Sequence, residues 1–238
     1  MMPLGHPVRH FASVSSTMDA AAAWAEAPHG AVVVAEEQTA GRGRHGRAWA
    51  AAPGANLLFT VVLRPASQRV GLIPLAAGLA VADAVAQWGV QARLKWPNDV
   101  RVGGRKLAGV LAETTWSGAE ARVLLGVGLN VAQTDFPADL AATSLRLETG
   151  QPVARLAPLS PILARLAEAL DRSEADPAGL LADVEARMES IGETVTVREP
   201  SGSGALTGTV LGLAPDGALR LATDTGARAV YAGEVTLS

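Results

Sequence analysis

Short apolar stretches of strand length alternate along the chain with longer segments of helical periodicity. Residues 31–37 (AVVVAEE) and 56–64 (NLLFTVVLR) are typical of buried strands. Residues 71–88 have apolar positions at helical spacing, such as Leu72, Leu75 and Leu79, which predicts a buried amphipathic helix and not a membrane span. The same patterns predict helices at 17–26, 158–172 and 176–192, and strands at 91–96, 107–115 and 121–131, the last two after a Gly103-Gly104 turn.

Beyond residue 192 the pattern changes to short alternating strands. These are predicted at 194–199, 206–213, 218–222 and 228–231, with turn signals at Ser201-Gly202, Pro215-Asp216-Gly217 and Gly226. Such spacing indicates a small β-barrel. We therefore expect an α+β protein, with a mixed-sheet main domain at 1–190 and a β domain at 191–238.

Composition and charge narrow the possible functions. The chain has 238 residues, a net charge of -3 and no cysteine, which excludes disulfides, thiolate nucleophiles and cysteine metal sites. The four histidines have no paired ligand spacing, and the acidic balance argues against DNA or another long phosphate backbone. The N-terminus places Arg9 and His10 where a signal peptide needs its apolar region, so we expect a cytoplasmic protein that is not bound to a membrane.

Residues 41–49 (GRGRHGRAW) place three arginines among three glycines directly after a predicted strand. Glycine lets the backbone approach a ligand closely, and each guanidinium offers a planar set of donors that matches phosphate or carboxylate oxygens. A solvated basic turn is the simplest alternative. Because the protein as a whole is acidic, a small anionic ligand is the better interpretation.

Three further segments carry polar groups at the ends of predicted strands. Residues 95–99 (KWPND) combine a cation and a carboxylate. Lys95 can face a phosphate, and Asp99 can hold Mg²⁺ through water. Residues 105–113 (RKLAGVLAE) add Lys106 as a second cation. Residues 126–130 (GVGLN) place two glycines, which leave room for a flat base, before an amide. Taken singly, each segment also has an ordinary explanation: a strand exit with a surface lysine, a central strand with a basic edge, or glycines that allow tight packing.

Together these segments resemble the biotin protein ligase family. EEQTAGRGRHGRAW, KWPND, RKLAGVLAE and GVGLN occur in the family's order and at similar separations, and SST at 15–17 resembles its biotin-contacting segment. The resemblance is strong over 13–131 and weaker in the C-terminal part, where DGALRL and AGEVTL resemble a small SH3-like barrel. It implies the α+β fold of the biotin/lipoate ligases.

The resemblance also implies a reaction. Biotin and MgATP would give biotinyl-5'-AMP and pyrophosphate, and a lysine of a biotin carboxyl carrier protein would then attack the mixed anhydride. The protein would thus be a biotin–[biotin carboxyl-carrier protein] ligase that needs Mg²⁺ and has edge strands that could support a homodimer. Only about a dozen residues precede the motifs, so we expect no DNA-binding domain and no repressor function.

Site residues follow from the matched motifs only. The resemblance assigns biotin contacts to Ser16, Thr17, Met18, Gln38, Arg42, Gly43, Arg44 and Lys106. It assigns contacts with ATP or the adenylate to Arg42, Arg44, Trp49, Lys95 and Asn130. Lys95, Lys106 and Arg42 are thereby implied as catalytic, and Asp99 stays the candidate for Mg²⁺. Met18 stands where the family commonly has asparagine, so we expect weakened or rearranged recognition of the biotin ureido group.

Two other function classes remain open at this point. A lipoate or octanoate ligase or transferase would have a similar fold, but the arginine-arginine and glycine-glycine signature of those families is missing. A non-catalytic sensor of biotin or nucleotide would keep the fold without turnover, although Lys95, Lys106 and Arg42 are all present. Pyrophosphate exchange with each acid separates these alternatives.

Overall fold

The computed structural model describes residues 4–66, 69–198 and 204–237, which form two β-sheets and the helices around them. The larger sheet has the order β1-β2-β3-β7-β6-β5-β4, in which β1 and β2 are parallel and the other neighbours antiparallel. Its strands are β1 (Val8–Val14), β2 (Val32–Gln38), β3 (Leu57–Leu63), β4 (Arg93–Lys95), β5 (Asp99–Val102), β6 (Arg105–Ser117) and β7 (Glu120–Leu129). The predicted mixed sheet is confirmed.

Helices cover both faces of this sheet. They are α1 (Thr17–Ala23), α2 (Ile73–Val85), α3 (Leu145–Thr149), α4 (Leu159–Ala175) and α5 (Pro177–Arg187), with short 3₁₀ helices at Arg44–Gly46, Val70–Leu72 and Ala86–Trp88. Alternate strand residues point to opposite faces. Val32 and Val34 accordingly belong to the large core with α2, whereas Val33 packs with Met18 and Ala21 of α1.

Helix α2 is more buried than the sequence pattern indicates. Eleven of its thirteen residues are buried, and Pro74 and Asp83 are the exceptions. The predicted buried helix is confirmed, but its predicted amphipathic character is wrong, because α4 and α5 cover the side of α2 that faces away from the sheet. Residues Val70–Trp88 are long and apolar enough to cross a membrane, but 67% of that segment is buried within the protein. Its hydropathy reflects a central position in the core.

Several predicted boundaries move because of tertiary contacts. Helix α1 ends at Ala23 and not at residue 26, since the Arg122 guanidinium donates to the carbonyl oxygens of Ala21 and Trp24. Helix α5 ends at Arg187 because Met188 is extended and bridges to Leu94 of β4. Strands β1 and β5 were not predicted, and β1 is mostly exposed, so it carries little apolar signal.

The C-terminal part is a five-stranded antiparallel sheet with the order β11-β10-β9-β8-β12. Its strands are β8 (Thr194–Arg198), β9 (Ala205–Leu213), β10 (Leu219–Thr223), β11 (Gly226–Val230) and β12 (Glu234–Leu237). The indole nitrogen of Trp96 donates to the carbonyl of Gly217 at 3.1 Å and so joins this sheet to the KWPND segment. The predicted turn at Ser201-Gly202 and the strand end at Glu199 lie outside the described residues, and the domain boundary at 190/191 stays a prediction.

Candidate active site

A cavity of about 440 Å³ lies where α1, the arginine loop (residues 41–49) and the strands β4 to β7 meet. Segment 233–235 of the C-terminal sheet forms part of its wall. This volume falls in the range of small-molecule sites. The cavity is lined by all the residues singled out from the sequence, namely Ser16, Thr17, Met18, Gln38, Arg42, Gly43, Arg44, Trp49, Lys95, Asp99, Lys106 and Asn130. The fold therefore brings them together, while their individual roles stay predictions.

The start of α1 is held by a buried polar network. Ser16 caps the helix by accepting from the backbone N–H of Met18 at 3.2 Å. Gln38 Oε1 accepts from the Thr17 backbone N–H at 2.7 Å and from its hydroxyl at 3.0 Å. Thr60 donates to the same hydroxyl at 2.9 Å. Since its oxygen is used twice, Gln38 offers its NH₂ group to a ligand carbonyl, as the predicted contact with biotin requires.

Met18 makes this end of the cavity apolar. The side chain is 3% exposed and belongs to the small core cluster under α1. A Cβ added to Gly126 would lie 2.9 Å from Met18 Sδ, so the glycine is what leaves room for the thioether. One of the two glycines that were predicted to accommodate a flat base instead accommodates Met18.

We expect Met18→Asn to lower the KM for biotin about three- to tenfold, because it supplies one more hydrogen bond worth about 0.5–1.5 kcal/mol. The same change should lower the melting temperature, since it removes apolar contacts from a buried cluster. Biotin KM values from pyrophosphate exchange measure the first effect. Met18→Leu is the matched control and should leave the KM unchanged. An unchanged biotin affinity in Met18→Asn would count against weakened ureido recognition in the natural protein.

The arginine loop is folded against the cavity by contacts with four different segments. Its ends approach each other through a bridge between Arg42 and Ala48, and His45 at its centre is left-handed with φ of 56°. Arg44 Nη1 lies 3.5 Å from both Asn98 Oδ1 and the Gly233 carbonyl. The remaining arginines pair with carboxylates: Arg42 with Asp19 and Glu113, and Arg47 with Glu234. Sequence reasoning missed all three carboxylates.

Burial lowers the pKa of the Arg44 guanidinium, and Asp99 opposes that shift. At the other end of the loop, the hydrogen bond from Arg47 lowers the pKa of Glu234 below its ordinary 4.5. The ion pair between Arg47 and Glu234 spans 2.9 Å and links the loop to β12. The C-terminal sheet thus holds the loop that covers the cavity.

The depressed pKa of Glu234 sets a pH window for this link. Its stabilising contribution is fully present above 4.5, the ordinary value, and is lost as the pH falls through the lower folded-state value. We expect Glu234→Gln to lower the melting temperature by at most about 3 °C above that window, because the pair is half exposed. Melting curves of both proteins across the acid range should converge at low pH, and a constant difference would contradict the ion-pair explanation.

Both predicted lysines line the cavity, and Lys106 pairs with the carboxylate of Asp99. Lys106 Nζ is 2.6 Å from Asp99 Oδ1, and Lys95 is opposite Asp99 in the register of β4 and β5. The negative charge of Asp99 also raises the pKa of Arg44, against the larger effect of burial. The cavity lining thus holds the basic side chains of Arg44, Arg47, Lys95 and Lys106 against the carboxylates of Asp99 and Glu234, which leaves net positive charge for an anionic ligand.

The residues present fit a magnesium ion that arrives with a nucleotide. The described residues contain no group of three or more histidine, aspartate or glutamate side chains that could hold a metal alone. Mg²⁺ is usually bound by one or two carboxylates together with substrate phosphates. Asp99 can supply one such carboxylate if Lys106 shifts from it, so its assignment to Mg²⁺ stays a prediction.

Trp49 lies on a glycine pair in the sheet. Gly109 of β6 and Gly128 of β7 are opposite each other in register. A Cβ added to Gly109 would lie 2.9 Å from the Trp49 ring, and one added to Gly128 would lie 2.5 Å from it. The expectation that Gly128 leaves room for a substrate base is therefore corrected, because the indole of Trp49 lies there. The ring also lines the cavity, where a nucleotide base could contact it.

Trp49 Nε1 is buried and has no hydrogen-bond partner among the described residues. Lys106 Nζ lies 5.4 Å from the centre of the ring, within reach of a cation–π interaction. Trp49 and Lys106 therefore form one wall of the cavity, and the indole nitrogen is buried against Gly128.

Asn130 is held by the backbone at the end of β7. It is 4% exposed, and its Nδ2 donates to the Thr143 carbonyl at 3.0 Å and to the Lys106 carbonyl at 3.4 Å. These bonds fix the amide orientation and use its NH₂ group, so that only the amide oxygen of Asn130 is left to bind a ligand, as an acceptor. The predicted contact with adenine is therefore restricted to acceptance from the 6-amino group.

Comparisons with known proteins agree over nearly the whole chain. Residues 10–130 match the Biotin/lipoate A/B protein ligase family, and residues 190–238 match the biotin protein ligase C-terminal domain. The biotin–[acetyl-CoA-carboxylase] ligase of Mycobacterium tuberculosis is 43% identical over 219 residues, which cover 87% of this chain and 78% of the relative. That of Paracoccus denitrificans is 36% identical over 220 residues, covering 85% and 88%.

The architecture gives the same result. The biotin protein ligase of Aquifex aeolicus in complex with biotin and ATP superposes with a TM-score of 0.85 at 31% identity, covering 97% of this chain and 98% of that one. At this coverage the match spans both the large mixed sheet and the C-terminal sheet. By both sequence and fold, the chain belongs to the biotin/lipoate protein ligase family and, within it, to the biotin protein ligases.

Proposed function

We propose that this protein activates biotin as biotinyl-5'-AMP with ATP and then transfers biotin to a specific lysine of a biotin carboxyl carrier protein. The observation that carries the proposal is that Lys95, Lys106 and Arg44 line the same cavity, with Lys106 paired to Asp99. The first step must bring two anions, a carboxylate and an α-phosphate, within bonding distance. Fixed cations supply that requirement directly.

In the first step, a biotin carboxylate oxygen attacks the α-phosphorus of ATP and pyrophosphate leaves. Lys106 would contact the carboxylate, and Lys95 would stabilise the charge that gathers on the α-phosphate. Thr17 and Gln38 would hold the biotin head group, and Trp49 would stack on adenine. Mg²⁺, bound with the nucleotide phosphates and assisted by Asp99, would neutralise part of the leaving-group charge.

In the second step, the neutral amine of a carrier lysine attacks the acyl carbon of the mixed anhydride, an amide forms and AMP leaves. The enzyme needs no covalent intermediate, which agrees with a chain that has no cysteine. Water would hydrolyse the adenylate, so the arginine loop must cover it until the carrier arrives. The carrier would come from a biotin-dependent carboxylase, as the names of the relatives indicate for those proteins.

Cell location and assembly are further parts of the proposal. We propose the cytoplasm as the location of the reaction, because ATP and a carboxylase carrier would be present there. On the large sheet, β1 is an edge strand with mostly exposed residues, whereas β4 is covered by contacts with Met188 and Glu189. We propose β1 as the edge that a homodimer or a bound carrier would use.

Biotin-dependent exchange of pyrophosphate into ATP tests the first step without the carrier. We expect exchange with biotin and none with lipoate or octanoate in parallel reactions. Transfer is then tested by mass spectrometry of a purified biotin carrier domain, which should gain one biotin on one lysine. Exchange only with lipoate or octanoate would assign the protein to the related ligases, and no exchange with any acid would favour a non-catalytic sensor.

A further inference from the structure

Arg42 is held between two carboxylates that belong to different elements. Its Nη1 pairs with Asp19 on the first turn of α1. Its Nε and Nη2 donate to the two carboxylate oxygens of Glu113 on β6, at 3.2 Å and 3.4 Å. Asp19 is itself oriented by a hydrogen bond of 2.9 Å from Ser15. We call Asp19, Arg42 and Glu113 the carboxylate clamp.

The pKa shifts agree with strong pairing in the clamp. The hydrogen bond with Glu113, followed by that with Asp19, raises the pKa of Arg42. The hydrogen bond from Arg42 lowers the pKa of Asp19. With one positive and two negative charges, the clamp as a whole carries a charge of about -1 and cannot attract an anionic ligand. The positive charge for the ligand must therefore come from other residues of the cavity, such as Lys95, Lys106 and Arg44.

The geometry of the clamp indicates a mechanical role. Arg42 lies at the start of the arginine loop. The predicted biotin contacts Ser16 and Thr17 lie at the start of α1, and β6 carries Lys106. The Arg42 guanidinium donates hydrogen bonds to α1 and to β6 at the same time, and it therefore attaches the start of the loop to two walls of the same cavity. The planar array of donors in arginine suits such a two-sided contact, which lysine cannot reproduce.

We propose that Asp19 and Glu113 are positioning residues that keep the arginine loop closed and thereby set how long the biotinyl adenylate stays bound. This inference rests on the proposed function. Two donor hydrogens of Arg42 remain available for the ligand after the clamp is formed. Removal of either carboxylate should loosen the loop and leave the reacting groups in place.

The test compares Asp19→Asn, Glu113→Gln and the double variant with the natural protein. The biotinyl adenylate should dissociate about three to five times faster from each single variant and about tenfold faster from the double one, because the pairs are charged but partly exposed. The kcat for pyrophosphate exchange at saturation should change less than about twofold, while the KM for biotin rises. Glu113→Asp, which keeps the charge, should restore part of the retention.

Limited trypsin cleavage of the ligand-free protein provides a second readout. Loss of the clamp should speed cleavage after the loop arginines, mapped by mass spectrometry. Glu168→Gln is the matched control, since it breaks an exposed ion pair with Arg165 at 2.9 Å on α4. It should change neither dissociation nor cleavage.

The two readouts separate the clamp from the proposed function. If the natural protein forms no adenylate, the proposed function fails, and the trypsin result still decides the clamp. Unchanged cleavage and dissociation in the double variant would overturn the inference. Slower dissociation would also overturn it, because the carboxylates would then hold Arg42 away from the ligand.

Discussion

Replacing Lys106 with alanine is expected to reduce biotin-dependent pyrophosphate exchange about 10²- to 10³-fold, the usual loss when one fixed group that stabilises transition-state charge is removed. Two effects act in the same direction. The cation that would face the biotin carboxylate disappears, and Asp99, which lies 2.6 Å from Lys106 Nζ, is left without that partner. An unpaired carboxylate beside a carboxylate substrate adds repulsion.

Arg105→Ala provides the matched control for this prediction. Arg105 is the adjacent residue, carries the same charge and pairs with Glu148 at 2.8 Å, with half of its side chain exposed. Its removal should change exchange less than about twofold, as expected for a surface pair. Melting temperatures confirm that both variants fold. If Lys106→Ala keeps exchange within a few-fold of the natural protein at saturating biotin, Lys106 does not act on the reacting carboxylate.

Gly128→Ala is expected to raise the KM for ATP about ten- to a hundredfold, because overpacking costs about 1–3 kcal/mol. The new Cβ would lie 2.5 Å from the Trp49 ring, a rigid group that cannot bend away as a flexible chain end can. Gly128 is not among the glycines with positive φ, so alanine adds no backbone strain. A higher KM for ATP in Gly128→Ala would therefore result from displacement of the Trp49 indole from the wall of the cavity.

Gly78→Ala is the control for a buried glycine without this clash. Its Cβ would meet Leu94 at 3.4 Å, an ordinary contact, and alanine favours the helix α2. We expect unchanged kinetics and equal or higher stability. Combining Gly128→Ala with the smaller Trp49→Phe should recover part of the ATP affinity. A KM for ATP that does not respond to Gly128→Ala would show that the Trp49 position is unimportant for nucleotide binding.

Most of the candidate site residues could be located from the sequence, because they occur in short consecutive segments. Each run joins a strand end to polar or glycine residues, and chain order alone places Gln38 next to the arginine loop and Lys95 next to Asp99. Asp19 and Glu113 were not predicted to act with Arg42, although both adjoin recognised motifs. An acidic residue on the surface of a helix or strand does not by itself indicate a function. Asp19 and Glu113 are also 23 and 71 residues from Arg42 in the chain, so no local pattern predicts these contacts.

Short apolar runs of strand length determined the strands β2, β3, β6 and β7, and alternation of apolar and polar residues determined β8 to β11 of the small C-terminal sheet. Motif chemistry determined the ligand class. Tertiary structure alone decided that α2 is buried on all sides, that β1 joins the sheet edge and that Trp49 lies on paired glycines. Packing between segments distant in the chain sets these features, and no local pattern records which surfaces will meet.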